Sequence, residues 1–401
     1  MNSLELFSGA GGLAKGLELA GFKHAALVEN NKYAYASLCE NFDPEKVFFG
    51  DVRDFDLGTL TNIALVAGGP PCQPFSLGGK HQADRDKRDM FPAAIHAIER
   101  LKPKAFIFEN VKGLLRKTFA DYFEYILLRL TYPSFNAEVT SDWQQHLDAL
   151  RSVSNSSYLG TKYNVEFKSI DAANYGVPQK RERVIIIGVR SDLECDWSFP
   201  PGTHSADRLF WDMYVTGEYW ERHKICKSER SLLDKPTESK IFKLIDKYGM
   251  FEPATMPWQT VRDAIGNLPD PRIDCGIKDR IFHDGARIYP GHTGSILDAP
   301  AKTIKAGDHG VPGGENMIRF SDGSVRYLTV LEAKRLQTFP DDFVIQGVWG
   351  EAMRQVGNAV PVLLAETMGR ELMKILNSRN NLVRIERGSK LENRQLMLID
   401  I

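Results

Sequence analysis

Short apolar runs, each followed by a longer polar or amphipathic segment, recur through the first 190 residues and restrict the fold more than any other feature. The intervening segments Ala14–Gly21 and Met90–Pro103 carry helical spacing and end at Gly or Pro. Such alternation predicts an α/β fold, in which βαβ units form a parallel sheet with helices on both faces. The runs are Ser3–Phe7, Ala25–Val28, Val47–Phe49, Ile63–Ala67, Ala105–Phe108 and Val184–Val189.

A glycine-rich turn or a singular polar residue follows each of the first five runs. In open α/β sheets the carboxyl ends of the parallel strands line one crevice, where ligands bind. We therefore expect one site at this edge. It would be built from the turn Gly9–Gly12, Glu29, Asp51, the loop around Cys72, and Glu109.

The glycine turn predicts a nucleoside cofactor without a pyrophosphate. Glycines at Gly9, Gly11 and Gly12 let a ligand approach the backbone, although a tight packing turn would also use them. Their spacing is not the GxGxxG of dinucleotide-binding proteins, which disfavours an NAD oxidoreductase. Glu29 ends the second run, where a carboxylate can accept both ribose hydroxyls, and Asp51 could accept from an adenine amino group.

Cys72 lies in the stretch GGPPCQPFS, which is stiffened by prolines at positions 70, 71 and 74. A stiff loop suits a nucleophile held at a fixed angle, and a packed thiol in a plain turn is the alternative. Successive side chains of a strand alternate between its two faces, which would put Gln179, Arg181 and Arg183 on one face of a later strand. These arginines could anchor a phosphate or favour a thiolate, or they could belong to an exposed, salt-bridged strand.

Composition excludes several classes of protein. The net charge of −1 over 401 residues gives no general basic field, so a polyanion would need a localised basic face. Five scattered cysteines without a CxxC pair predict neither a disulfide framework nor a metal site, and they favour the reducing cytoplasm. No run approaches the roughly 18 apolar residues of a membrane span, and the chain enters a strand too early for a signal peptide.

Two changes in composition predict the domain organisation. Residues 191–325 are rich in Pro and Gly and lack the βαβ rhythm, whereas helical spacing returns near the C-terminus. We assign residues 1–190 and 350–401 to a catalytic and cofactor-binding domain, and residues 191–349 to a smaller, irregular domain. Within the first domain, Thr131–Gly160 is predicted to be a surface insertion.

A series of motifs resembles the DNA (cytosine-5)-methyltransferases of prokaryotic restriction–modification systems. It covers most of residues 3–190 and 326–375. The resemblance implies a Rossmann-like, S-adenosylmethionine-dependent methyltransferase sheet and a target-recognition domain in the middle of the chain. Its motifs are, in order, LFSGAGGL, VEN, GD, GGPPCQPFS, FENVKG, YGVPQKRERVIIIGV, RYLTVLEAKRLQTFP and QVGNAVP.

The resemblance also implies a mechanism and a set of site residues. Cys72 would add to carbon 6 of a flipped-out cytosine, and Glu109 would share a proton with N3. Arg183 would contact the O2 side of the base and Arg181 would support the loop, with Gln179 from the same motif completing the catalytic set. The residues implied to bind S-adenosylmethionine are Phe7, Gly9, Gly11, Gly12, Glu29, Asp51, Pro71 and Asn358.

The same resemblance implies double-stranded DNA as the partner of a cytoplasmic monomer, with a cognate restriction endonuclease in the same system. Pro300–Ile304 is similar to a recurring element of the recognition domains, and Ala306–Gly314 would then be a loop that enters a DNA groove. Two alternatives stay open. One is a tRNA cytosine-5 methyltransferase, and the other is a DNA-binding regulator that has lost catalysis.

Overall fold

The structure is a computed structural model of the chain. The predicted nucleophile Cys72 lies outside the residues that it describes, and so does nearly all of the predicted groove-entering loop. The described residues are 1–71, 89–135, 142–153, 158–195, 197–227, 230, 235–273, 276–290, 292–306 and 316–377.

A seven-stranded sheet in the order β3-β2-β1-β4-β5-β7-β6 forms the centre of the molecule. The first five strands are parallel, as predicted. The strands are β1 (Asn2–Leu6), β2 (Lys23–Glu29), β3 (Val47–Phe49), β4 (Ile63–Gly68), β5 (Ala105–Val111), β6 (Tyr163–Asp171) and β7 (Glu182–Arg190).

The prediction of a parallel sheet is wrong at one edge. β7 runs antiparallel to β5, and β6, which the sequence analysis did not find, runs antiparallel to β7. The short connection between β6 and β7 allows an antiparallel return but is too short for a parallel crossover. β6 escaped notice because it is an edge strand with several exposed polar residues, so it lacks a continuous apolar run.

Helices cover both faces of the sheet, which confirms the predicted layers. On one face α3 and α4 pack on the apolar side chains of β1, β4 and β5, and on the other face α1 and α12 pack on those of β4, β5 and β7. The helices of this part are α1 (Gly12–Leu19), α2 (Lys32–Asn41), α3 (Phe91–Leu101), α4 (Ala120–Thr131), α5 (Trp143–Arg151), α11 (Trp349–Asn358) and α12 (Val362–Asn377).

The middle of the chain contains short elements around small sheets. Two of its helices, α9 and α10, share one hydrophobic core with α11, so the assigned boundary between residues 349 and 350 crosses a continuous core. The division into domains stays a prediction. The elements are β8 (His204–Ser205), α6 (Ala206–Tyr214), α7 (Glu218–Arg222), α8 (Lys235–Tyr248), β9 (Met256–Pro257), α9 (Val261–Ile265), β10 (Ser295–Ile296), β11 (Met317–Arg319), β12 (Val325–Tyr327) and α10 (Val330–Leu336).

The predicted insertion contains a helix, α5, that packs on α4, where the Trp143 ring contacts the rings of Tyr122 and Tyr125. Asp142 caps the first turn of α5, since its carboxylate accepts a hydrogen bond from the Gln144 amide at 3.1 Å. Among the described residues, no helix is long and apolar enough to cross a bilayer.

Glycines allow the last described helix to dock on the first. A Cβ on Gly16 of α1 would lie 2.4 Å from the Cβ of Ala365 and 2.5 Å from the carbonyl oxygen of Val362. A Cβ on Gly369 of α12 would likewise lie 2.8 Å from that of Ala20. The two helices therefore touch at backbone distance, which joins residues 362–377 to the start of the chain.

We predict that Gly16→Ala lowers the free energy of unfolding by about 1–3 kcal/mol, because the new methyl group overpacks this contact. Urea unfolding followed by circular dichroism measures the change. Gly350→Ala is the matched control, since Gly350 is also helical and nothing lies within 4 Å of its Cβ position. Equal effects of the two substitutions would contradict the proposed helix contact.

One carboxyl group lies inside the sheet. Glu5 of β1 is 1% exposed, and its Oε2 has no hydrogen-bond partner among the described residues. Burial raises the pKa of Glu5 well above its ordinary value, the Ala14 amide partly offsets this, and the charge of Glu29 adds to it. The folded protein therefore keeps this carboxyl protonated at pH values where the unfolded chain has released the proton.

We predict that Glu5→Gln becomes more stable than the wild type as pH rises from 5 to 8. Because the pKa of Glu5 is raised in the folded state, its full contribution to the free energy of unfolding is present below the pKa that it has in the unfolded chain. As pH rises above that value, the contribution falls by about 1.4 kcal/mol per pH unit until the folded pKa is reached. Gln cannot titrate and avoids this loss. Urea unfolding across this pH range tests the sign, with exposed Glu18→Gln as control, and pH profiles parallel to the wild type would refute it.

Candidate active site

A cleft of about 610 Å³ opens at the carboxyl ends of β1, β2, β4 and β5. It brings together most of the residues that the sequence analysis selected, whereas Gly11 and Gln179 do not line it. The predicted residues on its walls are Phe7, Gly9, Gly12, Glu29, Asp51, Pro71, Glu109, Arg181, Arg183 and Asn358.

The turn after β1 fixes a carboxylate at one end of the cleft. The Gly9 amide donates to Glu29 Oε2 and the Asn31 amide donates to Glu29 Oε1, both at 2.7 Å. Gly9 has a φ of +53° and open space where a Cβ would be. Phe7 has a φ of +56°, a left-handed conformation that costs a non-glycine residue of order 1 kcal/mol and that clusters at functional sites.

The other two glycines of the turn serve packing. A Cβ on Gly11 would lie 2.8 Å from the Phe42 ring, and one on Gly12 would lie 2.3 Å from the Val360 carbonyl oxygen. The surroundings of Gly11 and Gly12 therefore agree with the alternative, a tight packing turn. Of the three glycines, Gly9 has the open surroundings that would let a ligand approach.

Asp51 lines the cleft as part of an ion pair. Its Oδ1 accepts from Arg53 Nε at 2.9 Å and its Oδ2 accepts from Arg53 Nη2 at 2.5 Å. These hydrogen bonds hold the pKa of the Asp51 carboxyl below its ordinary value. The ion pair with Arg53 was not predicted, because the two residues are only two positions apart and their side chains meet only through the turn after β3.

At the other end of the cleft, Glu109 of β5 faces Arg183 of β7. Arg183 Nε lies 2.6 Å from Glu109 Oε1, and both side chains are largely buried, with 13% and 12% exposed. The antiparallel register makes this possible, since it sets Arg183 opposite Val111, two residues beyond Glu109. Arg183 was predicted to contact the O2 side of the base, and neither its ion pair with Glu109 nor this strand direction was predicted.

The start of the cysteine loop lies beside the same carboxylate. A Cβ on Gly69 would lie 3.5 Å from Glu109 Oε2. Asn110 Nδ2 donates to the Pro70 carbonyl oxygen at 2.9 Å, which ties the loop to the end of β5. Cys72 follows two residues after Pro70. The stretch of chain that leads to Cys72 therefore starts beside Glu109.

Arg181 connects the cleft wall to the C-terminal part of the chain. Its side chain is 1% exposed, and Nη2 donates to the carbonyl oxygens of Gly357 and Ala359, both at 2.9 Å. Burial lowers the pKa of this guanidinium well below its ordinary value. These bonds flank Asn358, which ends α11 and lines the cleft.

Gln179 lies outside the cleft and is fully buried. Its Oε1 accepts from the Ile304 amide at 3.0 Å and its Nε2 donates to the Leu336 carbonyl oxygen at 3.3 Å. Because β7 begins only at Glu182, the period-two argument does not extend to Gln179. The structure gives Gln179 contacts with the middle of the chain and none with the cleft.

Buried polar atoms without a protein partner lie on the cleft walls. Among the described residues they include Glu5 Oε2 and the Nε and Nη1 of Arg181. Such atoms in native structures usually await water, an ion or a ligand. Glu5 was not among the predicted site residues. The signal that could have identified it is the presence of a charged residue inside the apolar run Ser3–Phe7.

Comparisons with known proteins identify the family to which the chain belongs. The chain matches the family C-5 cytosine-specific DNA methylase over residues 1–140 and 144–374. It is 33% identical to type II methyltransferase M.PspPI of Psychrobacter sp., with 94% of this chain and 79% of the relative covered. It is 29% identical to type II methyltransferase M.NgoMIV of Neisseria gonorrhoeae, with 94% and 99% covered.

A solved structure agrees at the level of the fold. The Dnmt2 methyltransferase of S. pombe superposes with a TM-score of 0.56 at 16% identity, covering 94% of this chain and 99% of that one. The family match spans most of the chain, and the expected polar residues meet in one cleft. The chain therefore belongs to the C-5 cytosine-specific DNA methylase family and is a DNA (cytosine-5) methyltransferase.

Proposed function

We propose that the enzyme transfers a methyl group from S-adenosylmethionine to carbon 5 of a cytosine within a specific double-stranded DNA sequence. The target base would be flipped out of the duplex and attacked at carbon 6 by Cys72. The observation that carries the proposal is that Glu109 and the start of the cysteine loop, at Gly69 and Pro70, line one cleft. Their proximity supports a thiol and a carboxyl group acting on one pyrimidine.

The chemistry requires both groups, because carbon 5 of cytosine is a poor nucleophile. The Cys72 thiolate forms a bond to carbon 6, and the displaced electron pair moves through the ring toward N3, where Glu109 shares a proton. Carbon 5 is then nucleophilic, and S-adenosylmethionine, when bound, supplies the electrophilic methyl group that it takes up. Loss of the carbon 5 proton then breaks the bond between sulfur and carbon 6.

Arg183 would orient Glu109 for this task. The guanidinium holds Oε1 at 2.6 Å, whereas Oε2 faces Gly69 at the start of the cysteine loop. A carboxyl group held at one oxygen presents the other to the ring in a fixed direction. We therefore propose Arg183 as a positioning residue for Glu109, with Arg181 supporting this wall of the cleft. Gln179, whose hydrogen bonds go to Ile304 and Leu336, is not assigned a part in the chemistry.

The residues at the β1–β2 end of the cleft fit S-adenosylmethionine. Glu29 is oriented by two backbone amides and keeps lone pairs for ribose hydroxyls, and Gly9 leaves room beside it. A cationic sulfonium ligand suits a wall that carries the carboxyl group of Glu29. Phe7, Pro71 and Asn358 would complete this part of the site, while Gly11 and Gly12 would shape the turn.

The relatives are named as type II methyltransferases, which supports a role in a restriction–modification system. We propose that a cognate endonuclease recognises the same DNA sequence without binding this chain, and that the enzyme acts as a monomer in the cytoplasm. Bisulfite sequencing of plasmid DNA from cells that express the chain tests the activity and identifies the target sequence. Labelling of tRNA instead of plasmid DNA would overturn the proposed substrate.

We predict that Cys72→Ser abolishes methyl transfer while S-adenosylmethionine still binds, because the serine hydroxyl does not form the required adduct. Incorporation of tritiated methyl groups into DNA measures the first, and calorimetric titration measures the second. Cys226→Ser is the matched control and keeps full activity, since Cys226 is exposed in the middle of the chain. Near-normal turnover by the Cys72 variant would exclude it as the nucleophile.

We predict that Glu109→Gln lowers kcat by about 10²–10⁴-fold, the range for loss of a general acid. The affinity for S-adenosylmethionine should stay within a factor of two. Glu182→Gln removes a nearby carboxylate that is half exposed and paired with Lys112 at 2.8 Å, so it should leave kcat unchanged. If the two variants were equally active, the role of Glu109 would be refuted.

A further inference from the structure

Asp51 and Arg53 are joined by three hydrogen bonds on the wall of the cleft, just after β3. Asp51 Oδ1 accepts from the Arg53 amide and from Arg53 Nε, both at 2.9 Å. Asp51 Oδ2 accepts from Arg53 Nη2 at 2.5 Å. Both residues line the cleft. A guanidinium that binds both oxygens of a carboxylate fixes the position of the carboxylate and the direction of its plane.

The backbone beside this pair is tied to Glu29, the carboxylate proposed to bind ribose. β3 pairs with β2 as far as Glu29, and the Gly50 amide then donates to the Glu29 carbonyl oxygen at 3.0 Å. The Glu29 side chain is held by the Gly9 and Asn31 amides. Hydrogen bonds within the protein therefore orient both Glu29 and Asp51, which follow one another on neighbouring strands of the cleft wall.

The hydrogen bonds with Arg53 leave part of the Asp51 carboxylate for a ligand. A carboxylate offers about four acceptor sites, and Arg53 occupies three of them. Because the Asp51 side chain is 26% exposed and lines the cleft, a molecule in the cleft can reach the remaining site. An ionised carboxylate accepts hydrogen bonds and cannot donate them. It therefore binds an amino group and repels a carbonyl oxygen.

We propose that Arg53 is a positioning residue for Asp51 and thereby determines which purine the cofactor site accepts. Held in one orientation, the Asp51 carboxylate selects adenine, whose amino group donates, over hypoxanthine, which has a carbonyl oxygen in the same place. The inference rests on the proposed function and on the predicted contact between Asp51 and the adenine amino group. It adds Arg53, which acts through Asp51 and does not have to touch the cofactor.

The alternative is an ion pair that only stabilises the turn after β3. The Arg53 side chain is 54% exposed, and ion pairs of this exposure usually contribute little to folding. The two roles differ in what they change. A stabilising pair affects unfolding and leaves the choice between two ligands as it is, whereas a positioning residue changes that choice.

The test is Arg53→Met, which removes the guanidinium and keeps an unbranched side chain. Calorimetric titration of the full chain measures its affinity for S-adenosylhomocysteine and for S-inosylhomocysteine, in which a carbonyl oxygen replaces the amino group. We expect the wild type to bind the adenine compound at least about 100-fold more tightly. Arg53→Met should reduce this preference about tenfold or more, the effect of losing a hydrogen bond to a charged group. An unchanged preference would overturn the inference.

Arg190→Met is the matched control. Arg190 Nε also pairs with a carboxylate two residues along the chain, at 2.7 Å from Asp192 Oδ1, but neither residue lines the cleft. This variant should keep the wild-type preference, and equal losses in the two variants would contradict a specific role of Arg53. Arg53→Lys keeps the charge without the planar fork, so it should also lose most of the preference. A wild-type preference in Arg53→Lys would refute control by orientation.

Asp51→Asn separates this inference from the proposed function. Asparagine can turn its amide to donate to a carbonyl oxygen, so the variant should lose the preference for adenine. Failure of the wild type to bind S-adenosylhomocysteine would refute the proposed cofactor site itself. Loss of the preference in Asp51→Asn together with an unchanged preference in Arg53→Met would leave that site standing and overturn only the role of Arg53.

Discussion

The buried guanidinium of Arg181 holds two distant parts of the cleft wall together. A charge without contact to water is costly unless hydrogen bonds replace its hydration. Arg181 obtains them from the carbonyl oxygens of Gly357 and Ala359, which follow it by more than 170 residues. Any arrangement that displaced the C-terminal segment would leave this cation unsatisfied. The cleft wall at Asn358 is therefore as fixed as the strand that carries Arg181.

The short stretch around Arg181 joins three parts of the molecule through successive residues. Gln179 binds the middle of the chain, at Ile304 and Leu336, and Arg183 binds Glu109 in the sheet. The backbone adds to the first of these connections, since the Lys180 amide donates to the Ala301 carbonyl oxygen at 2.8 Å. The proposed DNA-reading part and the proposed chemical centre are thus only four residues apart along the chain.

Local signals were sufficient for much of this architecture. Apolar runs, helical spacing and glycine turns predicted five parallel strands and the edge at which both Glu29 and Glu109 lie, because each signal depends on neighbouring residues. Contacts between distant segments could not be predicted in this way, because the antiparallel edge and the packing of Gly12 against Val360 depend on tertiary structure. Helix α5 was read as part of an insertion, and the pairing of Asp51 with Arg53 depends on the geometry of the turn after β3. Gln179 was selected from its motif, yet its contacts lie outside the cleft.

The docking of α12 on α1 has a consequence for the order of events during protein synthesis. The first strands, the glycine turn and Glu109 are all translated early, but one wall of the cleft comes from residues 354–360. That wall is held in place by α12 against glycines of α1. A nascent chain in which α12 is still inside the ribosome therefore lacks a complete cleft. The site is assembled only after residues 362–377 have emerged.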